Sequence, residues 1–227
     1  MKRFYSFLAV LITIILPFFL LMSAIRLLIT PSFPQIEYNM PGFPPDTYGF
    51  TKQDRLYWSR FAIDYLTNDA GISYLSDLRF PDGSPLYNER ELTHMVDVKN
   101  LIQAMIKAWW ILLIALVGLG LWAWRAKWLA YYGYGVSRGG WATMGLIAAI
   151  LVATAVSFQG LFIEFHRIFF TGNTWIFEWS DTLIRLFPLP FWRDAFILMG
   201  AVSIVSALLC AFLGRKFAWQ ASRKEYL

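Results

Sequence analysis

Four stretches of the chain are almost continuously apolar, and polar or mixed segments separate them. They run from Phe7 to Ile29, Leu101 to Trp124, Trp141 to Ile163 and Phe196 to Leu213. A helix rises about 1.5 Å per residue, so about 20 apolar residues cross a hydrocarbon layer about 30 Å thick. None of the four alternates as a strand would, and in lipid only helices and closed barrels satisfy their own backbone. The pattern predicts four transmembrane helices. The first begins with basic residues, as a secretory signal does. Its apolar run is longer than the ~7–15 residues of a signal's core, so it reads as a retained anchor. Pro17 in its middle predicts a bend.

The segment between the first two spans is patterned differently. "PSFPQIEYNMPGFPPD" holds five prolines and predicts an extended, stiff start. "TKQDRLYWSRFAIDYLTNDAG" predicts an amphipathic helix, with Tyr57, Phe61 and Tyr65 at a spacing of four, Trp58 and Ala62 beside them, and Gly71 as its stop. "ISYLSDLRFPDGSPLY" predicts a short helix or strand pair around a Pro-Asp-Gly turn. So long a segment, this rich in aromatics, is expected to fold as a small cap, because long structureless loops are uncommon. Ahead of the second span, Asn88 and Glu91 form a capping-box pattern. That span should therefore be entered by a helix beginning near Glu89. The expected organisation is 1–30 N-terminus and first span, 31–88 cap, 89–124 helix running into the second span, and 125–140 cytoplasmic loop. It continues with 141–163 third span, 164–195 second outer loop, and 196–227 fourth span and tail.

Composition agrees with a membrane protein: 58% of residues are hydrophobic, 19% aromatic and only 15% charged. Soluble domains carry about a quarter charged residues. Charge adds a direction. Lys2 and Arg3, then Arg125, Lys127 and Arg138, then Arg215, Lys216, Arg223 and Lys224 mark three segments as cytoplasmic, against Glu225 alone. Thr30 to Asn100 holds ten acidic and six basic residues and is expected outside. The pI near 9.3 thus reflects anchoring charge. No basic-aromatic stripe suits nucleic acid, so none is expected as a partner. Cys210 is the single cysteine and reads as a buried structural thiol. No GxSxG, HExxH, P-loop or paired CxxC is present, and no internal repeat.

The chain has two histidines, His94 and His166. With the predicted topology they emerge on the same membrane side at similar depth. His94, Asp97, Leu101 and Met105 share one helix face. A histidine pair suits acid–base chemistry, since imidazole exchanges protons near neutral pH. Asp97 or Glu91 could orient one ring, as the acid does in a catalytic triad. No serine has a telling position, which favours a nucleophile supplied by the substrate, with Thr93 and Ser180 as the alternatives within the chain. A two-histidine, one-carboxylate metal site using Asp97 or Glu164 is a second reading. A third makes both histidines interfacial hydrogen-bonding groups of a receptor or assembly factor. Transport is disfavoured, because the span interiors carry almost no ionisable groups. In the second outer loop, Trp175, Phe177, Trp179, Phe187, Phe191 and Trp192 suit an interfacial aromatic belt, but the polar residues mixed among them, Asn173 included, do not.

"YNERELTHMVDVKNL" and "FHRIFFTGNTWIFEWSDTLIRLFP" resemble blocks of the bacterial lipoprotein intramolecular transacylases. The likeness covers nearly the whole chain; the abundance of tryptophan in the second and third spans departs from it without touching the motif residues. The resemblance implies an all-α integral membrane fold, four transmembrane helices with a small extracellular cap, both termini cytoplasmic and the active site at the outer interface. It implies a diacylated lipoprotein as substrate and membrane lipid as surroundings, with the chain acting as a monomer. The sn-2 acyl chain of the diacylglyceryl cysteine would move to the cysteine α-amine, giving a lyso-form lipoprotein. His94 and His166 would be catalytic, with Asp97, Glu91, Asn88, Tyr87, Asn173 and Trp175 positioning the substrate or supporting the pair. Neither cofactor nor metal is implied. A membrane-lipid ester hydrolase and a non-catalytic receptor or assembly factor are the alternatives.

Overall fold

The computed structural model describes residues 1–224; the acidic Glu225 counted in the tail lies outside them. The helices, in chain order, are α1 (Lys2–Leu28), α2 (Ser32–Glu37), α3 (Lys52–Thr67), α4 (Ser73–Ser76), α5 (Glu89–Arg125), α6 (Leu129–Phe169), α7 (Thr182–Leu186) and α8 (Leu189–Lys224). Among the described residues the only β pairing is an isolated bridge between Arg79 and Pro85. Helices α1, α5, α6 and α8 are long and apolar enough to cross a membrane. The fold is all-α, and its chain divides into two compact units.

The first unit comprises Met1–Ile25, Ile106–Ala155 and the chain from Ile197 on. Its core is built on Leu8, Ile12, Leu16 and Leu20 of α1, with Leu116, Ala123, Trp128 and Ala207. These α1 residues recur every four positions, the spacing of one helix face. Outward, Phe7, Ile14, Phe18, Ile114 and Phe212 stay exposed, as suits a lipid-facing surface. Helix α1 stays continuous through Pro17.

Two boundaries differ from expectation in this unit. The predicted loop at 125–140 is only Ala126 to Trp128, and α6 starts at Leu129. Basic residues interrupt the apolar pattern there without interrupting the helix, and the glycines of the segment serve close helix packing. A Cβ on Gly140 would stand 2.5 Å from the Ala207 carbonyl oxygen, and one on Gly133 2.7 Å from that of Gly214. Without a strong hydrophobic drive inside lipid, helices associate by such contact between small residues.

The second unit comprises Arg26–Met105 and Val156–Phe196. Its core gathers Phe33, Tyr38, Ala62, Ile63, Leu75, Leu86, Met95, Leu186 and Phe191 with their neighbours. The segment after α1 is not simply extended: Ser32–Glu37 is helical. Pro31 and Pro34 fall at or before the third helical position, where an N–H has no partner to lose. Helix α3 is capped by Thr51, which exchanges hydrogen bonds with Asp54. It ends at Thr67, before Gly71. Its inward face is Arg55, Ser59, Ala62 and Ile63 together with Tyr65, while Tyr57 is exposed. Of the predicted aromatic line, only Tyr57 turns outward; Phe61 packs against the core and Tyr65 lies within it. The Pro-Asp-Gly turn forms, with Gly83 at φ +86° and the Phe80 amide donating to the Ser84 carbonyl.

Helix α6 breaks at Ser157, whose φ of −161° and ψ of 93° are extended. The Ser157 hydroxyl accepts from the Gly160 amide at 3.1 Å, so Ser157 caps a fresh helix start. That second segment carries His166. The expected outer loop at 164–195 is shorter than predicted. Helix α6 continues to Phe169, α7 occupies its middle and α8 begins at Leu189.

Candidate active site

The site is built entirely within the second unit. Helix α5 opens with the capping box that the sequence predicts. The Glu91 amide donates to Asn88 Oδ1 at 3.0 Å, and the Asn88 amide donates to Glu91 Oε2 at 2.8 Å. This fixes the start of α5 and hence the direction of His94, one turn further on. The other Glu91 oxygen, Oε1, accepts from the Leu183 amide at 2.7 Å. Thr182 donates its hydroxyl to the Leu86 carbonyl. Asp181 accepts from Asn88 Nδ2 at 2.9 Å and pairs with Arg90 at 2.9 Å. Together these bonds lock the start of α7 against the start of α5.

The two histidines meet. Their ring centroids are 5.9 Å apart with 26° between planes. Only 7% of His94 and 8% of His166 remain exposed. Aromatic rings enclose them. Phe170 meets both, at 5.0 Å from His94 and 5.4 Å from His166. Phe177 stands 5.3 Å from His94, Phe162 4.2 Å and Trp175 5.2 Å from His166. Arg90 lies 5.9 Å over the opposite partner, Phe177.

Burial sets the protonation states. It pushes His94 down to about 4, with the neighbouring His166 adding to the shift. His166 is also lowered by burial, against a smaller upward pull from the Phe162 carbonyl. Both rings are neutral at pH 7, since a buried cation is penalised. His166 Nδ1 lies 2.7 Å from the Phe162 oxygen. A carbonyl only accepts, so Nδ1 carries the hydrogen and Nε2 holds the lone pair. His94 Nδ1 is buried with no protein partner.

The expected supporting residues divide. Trp175 packs tilted against His166 as a wall of the site. Asp97 lies one turn beyond His94, and its Oδ2 receives the Thr174 hydroxyl at 3.5 Å. Glu91 does not orient an imidazole: both its oxygens are held by backbone amides. Burial pushes its carboxyl up to about 7, against those amide bonds, which favour the charged form. Asn88 is a helix cap, not a group in contact with the pair. Tyr87 is buried with its hydroxyl unpartnered, and burial raises its pKa. Asn173 is exposed, and its side chain makes no hydrogen bond among the described residues. Neither histidine bonds a carboxylate among the described residues, so no triad-like acid is present. No three His, Cys, Asp or Glu side chains converge as metal ligands would among the described residues.

Several contributors escape a reading of sequence alone. Phe162 as hydrogen-bond acceptor follows from its place four residues before His166 on one helix. Phe170, four residues after His166, follows by the same spacing; only tertiary packing brings Phe177 to His94, and Asp181 and Thr182 to the start of α5.

With this geometry in place, three comparisons bear on the chain. A model of the family described as "Lipoprotein intramolecular transacylase Lit" matches residues 10–192. An uncharacterized protein of Aquifex aeolicus (strain VF5) is 26% identical over 212 residues, covering 92% of this chain and 95% of that protein. The membrane integral lipoprotein intramolecular transacylase Lit from Bacillus cereus superposes with a TM-score of 0.83 at 18% identity, over 98% of this chain and all of that one. A histidine-to-alanine variant of that protein superposes at 0.74 with 19% identity, over 98% and 97%. At such identities the structural matches establish the fold.

Proposed function

This chain belongs to the lipoprotein intramolecular transacylase family, a family of membrane-integral acyltransferases, and from that premise we propose the reaction that its site performs. A diacylglyceryl cysteine at the amino terminus of a lipoprotein is the substrate. The sn-2 acyl chain passes from glyceryl oxygen to the cysteine α-amine. The termini are cytoplasmic, and the histidine pair works at the outer interface, beyond the apolar stretches of α5 and α6.

The observation that carries this reading is the neutral, aromatic-walled histidine pair, with no serine, threonine or cysteine hydrogen-bonded to either ring among the described residues. Amine and ester belong to one substrate, so the protein need only hold them together and move protons. Positioning alone is worth a large share of such a barrier. His166 is the base. Its Nε2 lone pair is open, and the Phe162 carbonyl behind Nδ1 stabilises the imidazolium that forms. His94, with its depressed pKa, stays neutral and donates N–H to the carbonyl oxygen as it turns anionic.

The steps balance without any other reagent. The amine nitrogen attacks the ester carbonyl carbon while His166 Nε2 takes its proton. The tetrahedral carbon then expels the glyceryl oxygen, which receives that proton from His166. An amide and a free glyceryl hydroxyl result. Phe162, Phe170, Phe177 and Trp175 keep water from the ester, which would otherwise hydrolyse it.

The test uses a lipopeptide with unlike acyl chains at sn-1 and sn-2. The purified protein should place the sn-2 chain on the amine. Appearance of the sn-1 chain there, from the intact substrate, contradicts the assignment.

A further inference from the structure

We propose that Asp97 is the subsite for the substrate's protonated α-amine, through which the enzyme selects a free amino-terminal cysteine. This rests on the transacylase reading and adds to it the group that recognises the nucleophile in its solution form.

Asp97 follows His94 by three residues on α5, one turn along the same face. Its single hydrogen bond comes from Thr174, at 3.5 Å, the outer edge of such bonds. The next residue, Trp175, lies on His166. Asp97 therefore borders the histidine pair, half-buried, with acceptor positions open.

Three other acids of these segments are committed. Glu91 holds two backbone amides. Asp181 holds Asn88, Arg90 and the Glu178 amide. Glu164 pairs with Arg167. The two α5 cations that flank it in sequence are engaged elsewhere: Arg90 with Asp181, and Lys99 with Asn68 Oδ1 and the Ala70 carbonyl. No cation of this chain pairs with Asp97 among the described residues. A carboxylate so placed has room for a cation supplied from outside.

The substrate supplies one. An α-amine has a pKa near 8 and is mostly charged at neutral pH. Charge-assisted bonds from its N–H groups to Asp97 are stronger than the Thr174 contact they join or displace. One amine proton must then leave before attack, through an imidazole to water. The second follows during attack and ends on the glyceryl oxygen. The products are amide, alcohol and one proton.

Two unreactive analogues test this by binding alone, with the full chain in nanodiscs. Both are thioglyceryl cysteinyl peptides with ether-linked chains in place of esters. One keeps the α-amine and the other has hydrogen in its place. Wild type should bind the amine analogue roughly ten- to a hundred-fold more tightly. Asp97→Asn should lose most of that preference and bind the desamino analogue as wild type does, which also shows that it is folded. Asp97→Glu and Thr174→Val should keep a preference. A preference undiminished in Asp97→Asn, or absent in wild type, overturns the inference while leaving the transacylase reading intact. Failure of both analogues to bind wild type overturns both.

Discussion

His94 and His166, brought from α5 and α6 to 5.9 Å between ring centroids, share one aromatic enclosure that leaves each less than a tenth exposed. Residues 72 positions apart in sequence do not share a sealed site by local structure; tertiary packing brings α5 to the end of α6, with Phe170 against both rings. If both rings act on the reacting atoms, removing either should remove turnover without unfolding the chain. His94→Ala and His166→Ala should each lower kcat by roughly a hundred- to ten-thousand-fold. Thermal unfolding in detergent, measured alongside, should show both variants folded. Activity within a few-fold of wild type in either would contradict a catalytic role for that residue.

The pH dependence of stability should carry the mark of His94. Its pKa falls from the ordinary 6.5 to about 4 on folding. The unfolded chain therefore binds more protons between those values, and stability is lost as pH falls through that window, by on the order of 3 kcal/mol. Glu91 acts oppositely, because its pKa rises from 4.5 to about 7, so its contribution falls as pH rises between them. Comparing melting temperature against pH in wild type and His94→Phe isolates the first effect. The variant should lose the acid-side component, and equal curves would refute the depressed histidine.

Glu91 should matter for structure more than for chemistry. In Glu91→Gln the amide nitrogen replaces one acceptor and faces a backbone N–H. A buried donor left unmatched costs about 1–3 kcal/mol. Melting temperature should drop, and kcat should fall less than in either histidine variant. A complete loss of turnover at unchanged stability would return Glu91 to the reacting groups.

Trp175 and Phe177 should guard the ester. Trp175→Ala opens the wall at His166, and Phe177→Ala opens it at His94. Water then competes with the amine, so released fatty acid should rise relative to transferred acyl chain. Quantifying both products from one reaction decides it. An unchanged ratio would mean that these rings only shape the fold.

Much of this fold is written locally. The four long helices follow from apolar runs, and the start of α5 from the Asn88–Glu91 capping pattern. Both histidines could be placed at one level for the same reason. The start of α6 was hidden because Arg138 and its polar neighbours end the apolar run without ending the helix, whose glycines pack against partner helices. Glu91 misled differently. Its distance from His94 along the helix suits an orienting acid, yet its oxygens are taken by Asn88 and by Leu183, a residue 92 positions away. Asn173 sits beside a site residue in sequence but is exposed. The break at Ser157 had no apolar interruption to announce it, since a serine cap is compatible with an unbroken helix as well.

The central claim is intramolecular acyl transfer by the histidine pair. Its most direct test is mass spectrometry of the amino-terminal peptide of a diacylated lipoprotein after incubation with purified protein, wild type and His94→Ala. Transfer predicts unchanged total mass, with one acyl group now on the α-amine, and no such shift with the variant. Loss of one acyl mass would make the protein a hydrolase. An unchanged peptide, with folded protein and suitable lipid, would contradict catalysis by the pair altogether.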